Sequence, residues 1–395
     1  MLSDTDLEGR FIKAQNILDY VSRPLSLLGM WPVNVTMGSR IRMIMYFIYH
    51  FYRIGMELIE FAMVFGNLER VVENLMMTAL QIAIIVRLAL PRFAGSMRRV
   101  LETLEDLHQR NKFKDTGEME IFIEYSERSE RCFKVLLWCA AVACTSWYLT
   151  PIQNYLLARV RNETFIYEAP WRMPEFVATE RAEVALIVHI MEIPVVYICY
   201  CYMISYSVYL TLINHIRCQL VIVSYEVRNF KVDRMGHTKE VLSPIVERHI
   251  TALHVAKSLS DCTHISLLAE LFAVSVTLAL LMYNAMVASE SASSQNRIKM
   301  VNSGMYIVNM LLIIFANCYM GQNLEDEGVN LSDAFYNNNW TNLPVSVQKS
   351  FLICIIHSQR RLQLTAGKFY KFSLNSFTRT MKSIIAFYSM LRATT

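Results

Sequence analysis

The chain has 395 residues, 54% of them hydrophobic, with a mean hydropathy of +0.29 and a formal net charge of +4. Soluble domains are about 45–50% apolar, so this composition belongs in a membrane. The small, dispersed charge, with no phosphate-binding loop, base-stacking platform or long basic run, excludes a nucleic-acid partner.

In chain order, the start Met1-Leu2-Ser3-Asp4-Thr5-Asp6 lacks a charged segment followed by an apolar run. Neither a cleavable signal nor a transit peptide is expected there. Seven apolar stretches then reach spanning length: 41–65, 71–90, 133–157, 184–212, 264–288, 301–321 and the two-part region 346–391. The fourth is long for one crossing and contains Pro194, which predicts a tilt or a kink. No period of self-similarity stands out, which argues against a repeat-built transporter. The fold class expected is an all-α membrane protein with seven transmembrane helices.

Lys and Arg set the orientation. They concentrate in 1–42, 91–134, 213–263 and 321–366, and thin out in 65–71, 156–183, 287–300 and 392–395. The positive-inside rule then puts the N-terminus in the cytosol and, with seven crossings, the C-terminus outside. That is the reverse of a metabotropic seven-helix receptor. The sequon Asn162-Glu163-Thr164 falls outside, where it is open to glycosylation, whereas those at Asn34, Asn330 and Asn339 fall inside.

Catalytic and metal readings fail. His249 and His254 are five apart without the glutamate of a zinc helix, and there is no nucleophile elbow or dinucleotide fingerprint. His189 with Glu192, and Arg53 with Glu57 and Glu60, lie one helical turn apart inside apolar stretches. Each set reads as a buried polar pair near a ligand or as a helix stabiliser. All nine cysteines fall in spans or cytosolic segments, so no disulfide framework is expected.

The last span is the most informative. As one helix, residues 368–391 would be about 36 Å long, enough to cross a bilayer. Arg379 lies near its middle, where lipid disfavours a cation. At about 100° per residue, Ser373, Ser376, Thr380, Ser383, Phe387 and Met390 share one arc. Lys368, Lys371, Asn375, Arg379 and Lys382 share the next. The hydroxyl arc reads either as the wall of a water-filled conduit closed by an apolar ring or as hydroxyls bonded back to their own helix.

Three segments resemble a known family. They are Pro24-Leu25-Ser26-Leu27-Leu28-Gly29-Met30-Trp31-Pro32, then Asn323-Leu324-Glu325-Asp326-Glu327 with Leu331, Ala334, Tyr336 and Trp340, then 359–367 with Phe369, Ser373 and Phe377. In this order and at this length the chain resembles the insect olfactory (odorant) receptors. Arg361 stands where that family often carries proline. Gustatory receptors end differently from the run Ala386-Phe387-Tyr388-Ser389-Met390-Leu391-Arg392, and the co-receptor has a longer second cytosolic loop than 213–263.

The resemblance implies the ligand-tuning subunit of a heteromeric, odorant-gated, non-selective cation channel in the plasma membrane of a sensory neuron. Its partners would be co-receptor subunits in a tetramer, a small volatile organic ligand, the lipid bilayer and permeant cations. No cofactor, metal or enzymatic activity is implied. A gustatory-type channel and a metabotropic receptor are the alternatives. The family architecture implies a ligand-binding bundle over 1–345, a cytosolic anchor helix over 346–366 with Ile353, Ile356 and Leu364 buried, and a pore helix over 367–391. It makes the Ser373–Met390 arc pore-lining. By position it also places an odorant site at Met77 and Leu80; at Ala140, Ala143, Cys144, Trp147 and Tyr148; at Met191, Val195 and Cys199; and at Tyr306, Asn309 and Met310.

Overall fold

The computed structural model describes residues 4–162, 167–171, 173–174, 176–177, 179, 181–230, 238–290 and 294–393. The described chain is almost wholly helical. Two short helices, α1 (Asp4–Gln15) and α2 (Ile17–Leu28), precede α3 (Met37–Met63), α4 (Leu68–Phe93) and α5 (Gly95–Leu107). The bundle continues with α6 (Thr116–Tyr148), α7 (Thr150–Arg161), α8 (Ala182–Met191), α9 (Ile193–Arg228), α10 (Thr238–Glu290) and α11 (Ser294–Asn337). The chain closes with α12 (Val345–Ser358), a hairpin of β1 (Thr365–Ala366) and β2 (Tyr370–Lys371), and α13 (Leu374–Ala393).

Helix α9 is the axis of the bundle. Every residue from Tyr206 to Leu220 is buried, the pattern of a helix that is covered all round. It packs against α2, α4, α6, α10 and α11. The kink expected at Pro194 is present as a break at Glu192 between α8 and α9, because a proline in the first turn starts a helix but cannot continue one. A second break, at Leu149 just before Pro151, bends α6 and α7 by 56°.

Helix α3 is inside out relative to a soluble helix. Tyr46, His50, Arg53, Glu57 and Glu60, spaced four and three apart, are buried, while Ile41, Ile44, Ile48, Phe51, Leu58 and Ile59 are exposed. Only an apolar solvent makes that arrangement favourable, since polar side chains there must find partners within the protein. Arg53 accordingly lies 3.5 Å from Glu57 and 3.7 Å from Glu192.

Among the described residues, four helices are long and apolar enough to cross a membrane, or five if the bent α6–α7 pair is one span. Helices α3 and α13 have 27 and 20 residues, and polar side chains keep both below that hydropathy. The stretches read from sequence as connections are partly helix. Helices α9, α10 and α11 run on through 213–228, 238–263 and 322–337. These extensions pack on one another, so helix continues after the apolar run stops.

The last region departs most from the sequence reading. Helix α12 ends at Ser358, and 359–373 leaves helix for the β hairpin. Gly367 and Lys368 both take left-handed φ, 61° and 67°, as a tight type I′ turn requires. Helix α13 therefore begins at Leu374, and Lys368 and Lys371 do not share an arc with Arg379. In α12 the buried residues are Val347, Phe351, Cys354, Ile355 and Ser358. Leu364 is buried as expected, but Ile353 and Ile356 are exposed on this subunit.

Arg87 of α4 and Glu270 of α10 meet at 2.6 Å in the core. Arg87→Met should strand Glu270 and cost about 3–5 kcal/mol. This is read as lost surface expression and a lower melting temperature of the solubilised protein. Adding Glu270→Leu should restore most of the loss. A double variant as damaged as the single one would show that the pair does not hold the bundle.

Candidate ligand cavity and terminal helix

A small cavity of about 50 Å³ lies between α4, α6, α9 and α11. Sites that hold small molecules are commonly roughly 300–1,000 Å³, so these walls would have to part to admit one. Helix α4 contributes Met77, Leu80, Gln81 and Ile84, and α6 contributes Ala140, Ala143 and Cys144. Cys199, Tyr200, Tyr202 and Met203 come from α9, and Tyr306, Asn309 and Met310 from α11. Trp171, in the segment between α7 and α8, completes the wall.

Nine of the residues placed by position thus line one cavity: Met77, Leu80, Ala140, Ala143, Cys144, Cys199, Tyr306, Asn309 and Met310. Four do not. Trp147 stands one layer out, edge-on to Tyr306 at 5.0 Å, with its indole N–H donating to the Pro170 carbonyl at 2.7 Å. Tyr148 stacks on His189 at 4.3 Å and donates to the His189 carbonyl. Met191 is half exposed, and Val195 is buried away from the void. The face of α6 carrying Ala140, Ala143 and Cys144 lines the cavity, and Trp147 and Tyr148 form the helix's last turn before the break at Leu149.

Gln81, Ile84, Trp171, Tyr200, Tyr202 and Met203 were not foreseen. Ile84 continues the Met77–Leu80 stripe by one turn, and Tyr202 and Met203 follow Cys199 by three and four residues. The helical repeat held that signal. No periodic signal marks Trp171, which arrives from a connection.

The cavity's polar groups connect outward. The Tyr200 and Thr145 hydroxyls lie 3.0 Å apart. The Tyr202 hydroxyl donates to Glu270 at 3.1 Å, and Glu270 is the partner of Arg87. The Arg87 guanidinium lies over the rings of Tyr206 and Tyr209, 5.1 and 4.9 Å from their centroids. Further along α10, the His264 carbonyl accepts the Gly367 N–H at 2.9 Å. A side chain at Gly367 would strike Leu268, whose Cδ2 would lie 2.9 Å from the added Cβ. One stretch of α10 therefore meets the cavity wall through the Glu270–Tyr202 bond and the hairpin through Leu268 and His264.

The hairpin is pinned on its other flank by α11. Glu325 takes both Lys371, at 2.7 Å, and Arg361, at 3.4 Å. Gly321 lies so close that an added Cβ would come within 2.5 Å of the Phe372 carbonyl oxygen. Lys368 sits 3.8 Å from Asp261. Two members of the expected basic stripe are thus salt-bridged to neighbouring helices, whereas Arg379 and Lys382 are exposed.

The hydroxyl arc divides in the same way. Ser373 and Ser376 are buried against each other at 3.0 Å, and Thr380 is held by the Tyr370 hydroxyl at 2.7 Å. Ser383, Phe387 and Met390 are exposed on the subunit. Ser383 also donates to the Arg379 carbonyl at 3.2 Å, the back-bonding reading of that hydroxyl. Asn162, at the end of α7, is exposed with a left-handed φ of 54°. The Thr164 of its sequon lies outside the described residues.

The 7tm Odorant receptor family matches residues 67–385 of this chain. The chain belongs to the odorant receptor family. Among curated relatives, Odorant receptor 47a of Drosophila melanogaster is 22% identical over 178 residues, 44% of either chain. Odorant receptor 10 of Aedes albopictus is 26% identical over 98 residues, 25% of this chain and 26% of its own. The alignments thus span less than half the length of these relatives. The fold matches the insect olfactory receptor OR5 from Machilis hrabei in complex with eugenol, with a TM-score of 0.81 at 15% identity, over 98% of this chain and 100% of that one. OR5 solved alone gives a TM-score of 0.80 at 16% identity, over 96% and 98% of the two chains. As an odorant receptor family member the chain is a multi-pass membrane protein and not an enzyme.

Ala143→Leu should fill the cavity and weaken the response to whatever ligand the receptor answers. Overpacking should cost about 1–3 kcal/mol of stability. Val142→Leu, on the outward face beside it, should change neither. Dose–response curves and melting temperatures check both. Equal curves for the two variants would remove the cavity from consideration.

Proposed function

We propose that this chain is the ligand-tuning subunit of a heteromeric, odorant-gated, non-selective cation channel. The observation that carries this reading is the unbroken contact route from a mainly apolar cavity, through Tyr202 on α9 and Glu270 on α10, to the hairpin at the foot of α13. The mainly apolar lining suits a small volatile molecule, which the walls part to admit. OR5, which shares this fold, is described in complex with eugenol.

In this reading seven crossings are formed by α3, α4, α6–α7, α8–α9, α10, α11 and α13. The charge bias keeps the N-terminus cytosolic and sends Asn162 and the C-terminus outside. Ligand filling the cavity shifts Tyr202. Glu270 follows because leaving either partner unpaired in a dry core is costly. The α10 segment then moves the hairpin, and with it the base of α13. Ser383, Phe387 and Met390 face the conduit, with Phe387 and Met390 forming the apolar constriction that dewets when closed. Ser373, Ser376 and Thr380 hold the foot of the helix instead.

Helix α13 needs neighbours. Arg379 and Lys382 would crowd one axis if four copies of this chain met there, since like charges at close range disfavour one another. Co-receptor subunits in the tetramer relieve that. Ile353 and Ile356, exposed side by side on α12, are the apolar surface this reading assigns to an adjacent subunit's anchor.

Expressed alone, the chain should give no ligand-evoked current, while co-expression with a co-receptor should give a non-selective cation current. Robust current from this chain by itself would refute the heteromeric assignment. A second measurement addresses α13. Ser383→Cys should react with an external thiol reagent when ligand opens the channel, and Ile384→Cys, 4% exposed in the native chain, should react far more slowly. Equal rates at both positions, with and without ligand, would exclude α13 from the pore.

A further inference from the structure

We infer that Asn309 is the polar anchor of the cavity and that it selects apolar ligands carrying one hydrogen-bond donor, an alcohol or a phenol. This rests on reading the cavity as the ligand site. Asn309 lies on α11, lines the cavity and is 6% exposed. Its Oδ1 is buried without a hydrogen-bond partner. A buried acceptor left empty is costly, so its persistence calls for an explanation.

The other polar side chains around the cavity are committed elsewhere. Tyr200 is engaged with Thr145, and Tyr202 with Glu270. The Gln81 side chain bonds Glu57. Tyr306, Cys144 and Cys199 form a chain among themselves. The rest of the wall, including Met77, Leu80, Ile84, Met203 and Met310, is apolar. A trapped water needs two to four polar partners, and Asn309 alone does not supply them. A ligand hydroxyl needs only one acceptor, with its carbon body against methionine and aromatic side chains.

The amide oxygen accepts only. An alcohol or phenol satisfies it, whereas an ether or ketone of the same skeleton brings no donor and leaves it empty. Discrimination of this kind is strong where a site is built to bond a hydroxyl, because the unpaired protein group penalises the analogue.

The test uses the full chain co-expressed with a co-receptor and two matched pairs, octanol with octyl methyl ether and para-cresol with its methyl ether. Binding is read as thermal stabilisation of the solubilised complex, and gating as current. In at least one pair the hydroxyl compound should act at about tenfold lower concentration than its ether, the ratio expected for one buried hydrogen bond. Asn309→Leu, of similar size without the amide, should erase that ratio by weakening the hydroxyl compound and sparing the ether. Asn309→Val replaces it should the leucine variant fail to reach the surface, and the wild-type ratio needs no variant. Ethers as effective as their hydroxyl partners, or a ratio that survives loss of the amide, would overturn the assignment. Stabilisation by the hydroxyl compound without current would leave Asn309 in place and refute the channel reading. Equal currents from both members of each pair would do the reverse.

Discussion

At the centre of the bundle the Arg87 guanidinium and the Glu270 carboxylate meet at 2.6 Å, both almost wholly buried. Neither charge tolerates lipid or a dry apolar core alone, so each fixes the position of the other. The pair locks α4 to α10. Tyr206 and Tyr209 of α9 lie under the guanidinium, and Tyr202 of the same helix donates to the carboxylate. Three helices are thereby set in register around one ion pair. Because Tyr202 also lines the cavity, the shape of the cavity and the stability of the core depend on the same contact.

The bundle follows one rule throughout. A chain solvated by lipid must satisfy its polar side chains internally. Helix α3 obeys it by turning Arg53, Glu57 and Glu60 inward and its isoleucines outward. Arg53 reaches across to Glu192 at the α8–α9 break. That break sits beside His189, on which Tyr148 stacks. The polar residues that interrupt apolar stretches in the sequence are thus the joints between helices.

Helix α13 is the exception that requires partners. Its inward face is ordinary, with Phe377 edge-on to Phe315 at 5.6 Å and Ile384 buried. Its outward face carries Arg379, Lys382 and Ser383, a surface too polar for lipid. The hairpin before it is rigid for steric reasons. Gly321 and Gly367 sit where a Cβ would collide with Phe372 and Leu268, and Glu325 clamps Lys371 and Arg361. The foot of α13 is therefore held directly by α10 and α11.

The sequence by itself determined the membrane class, the family, most apolar stretches and the helical stripes Met77–Leu80, Ala140–Cys144 and Tyr306–Met310 that line the cavity. These are local properties, fixed by hydropathy and by the 3.6-residue repeat. It also foretold the break near Pro194, because proline acts on its own turn. Only the tertiary structure decided the rest. Arg87 and Glu270 are 183 residues apart, and no periodicity links them. Trp147 is held outside the cavity wall by Tyr306 and the Pro170 carbonyl, and Trp171 comes from a connection with no repeat to read. The basic arc drawn through Lys368, Lys371 and Arg379 assumed one continuous helix. The left-handed turn at Gly367 and Lys368, held by α10 and α11, ended that assumption, since backbone that bonds to distant helices does not follow its own local period.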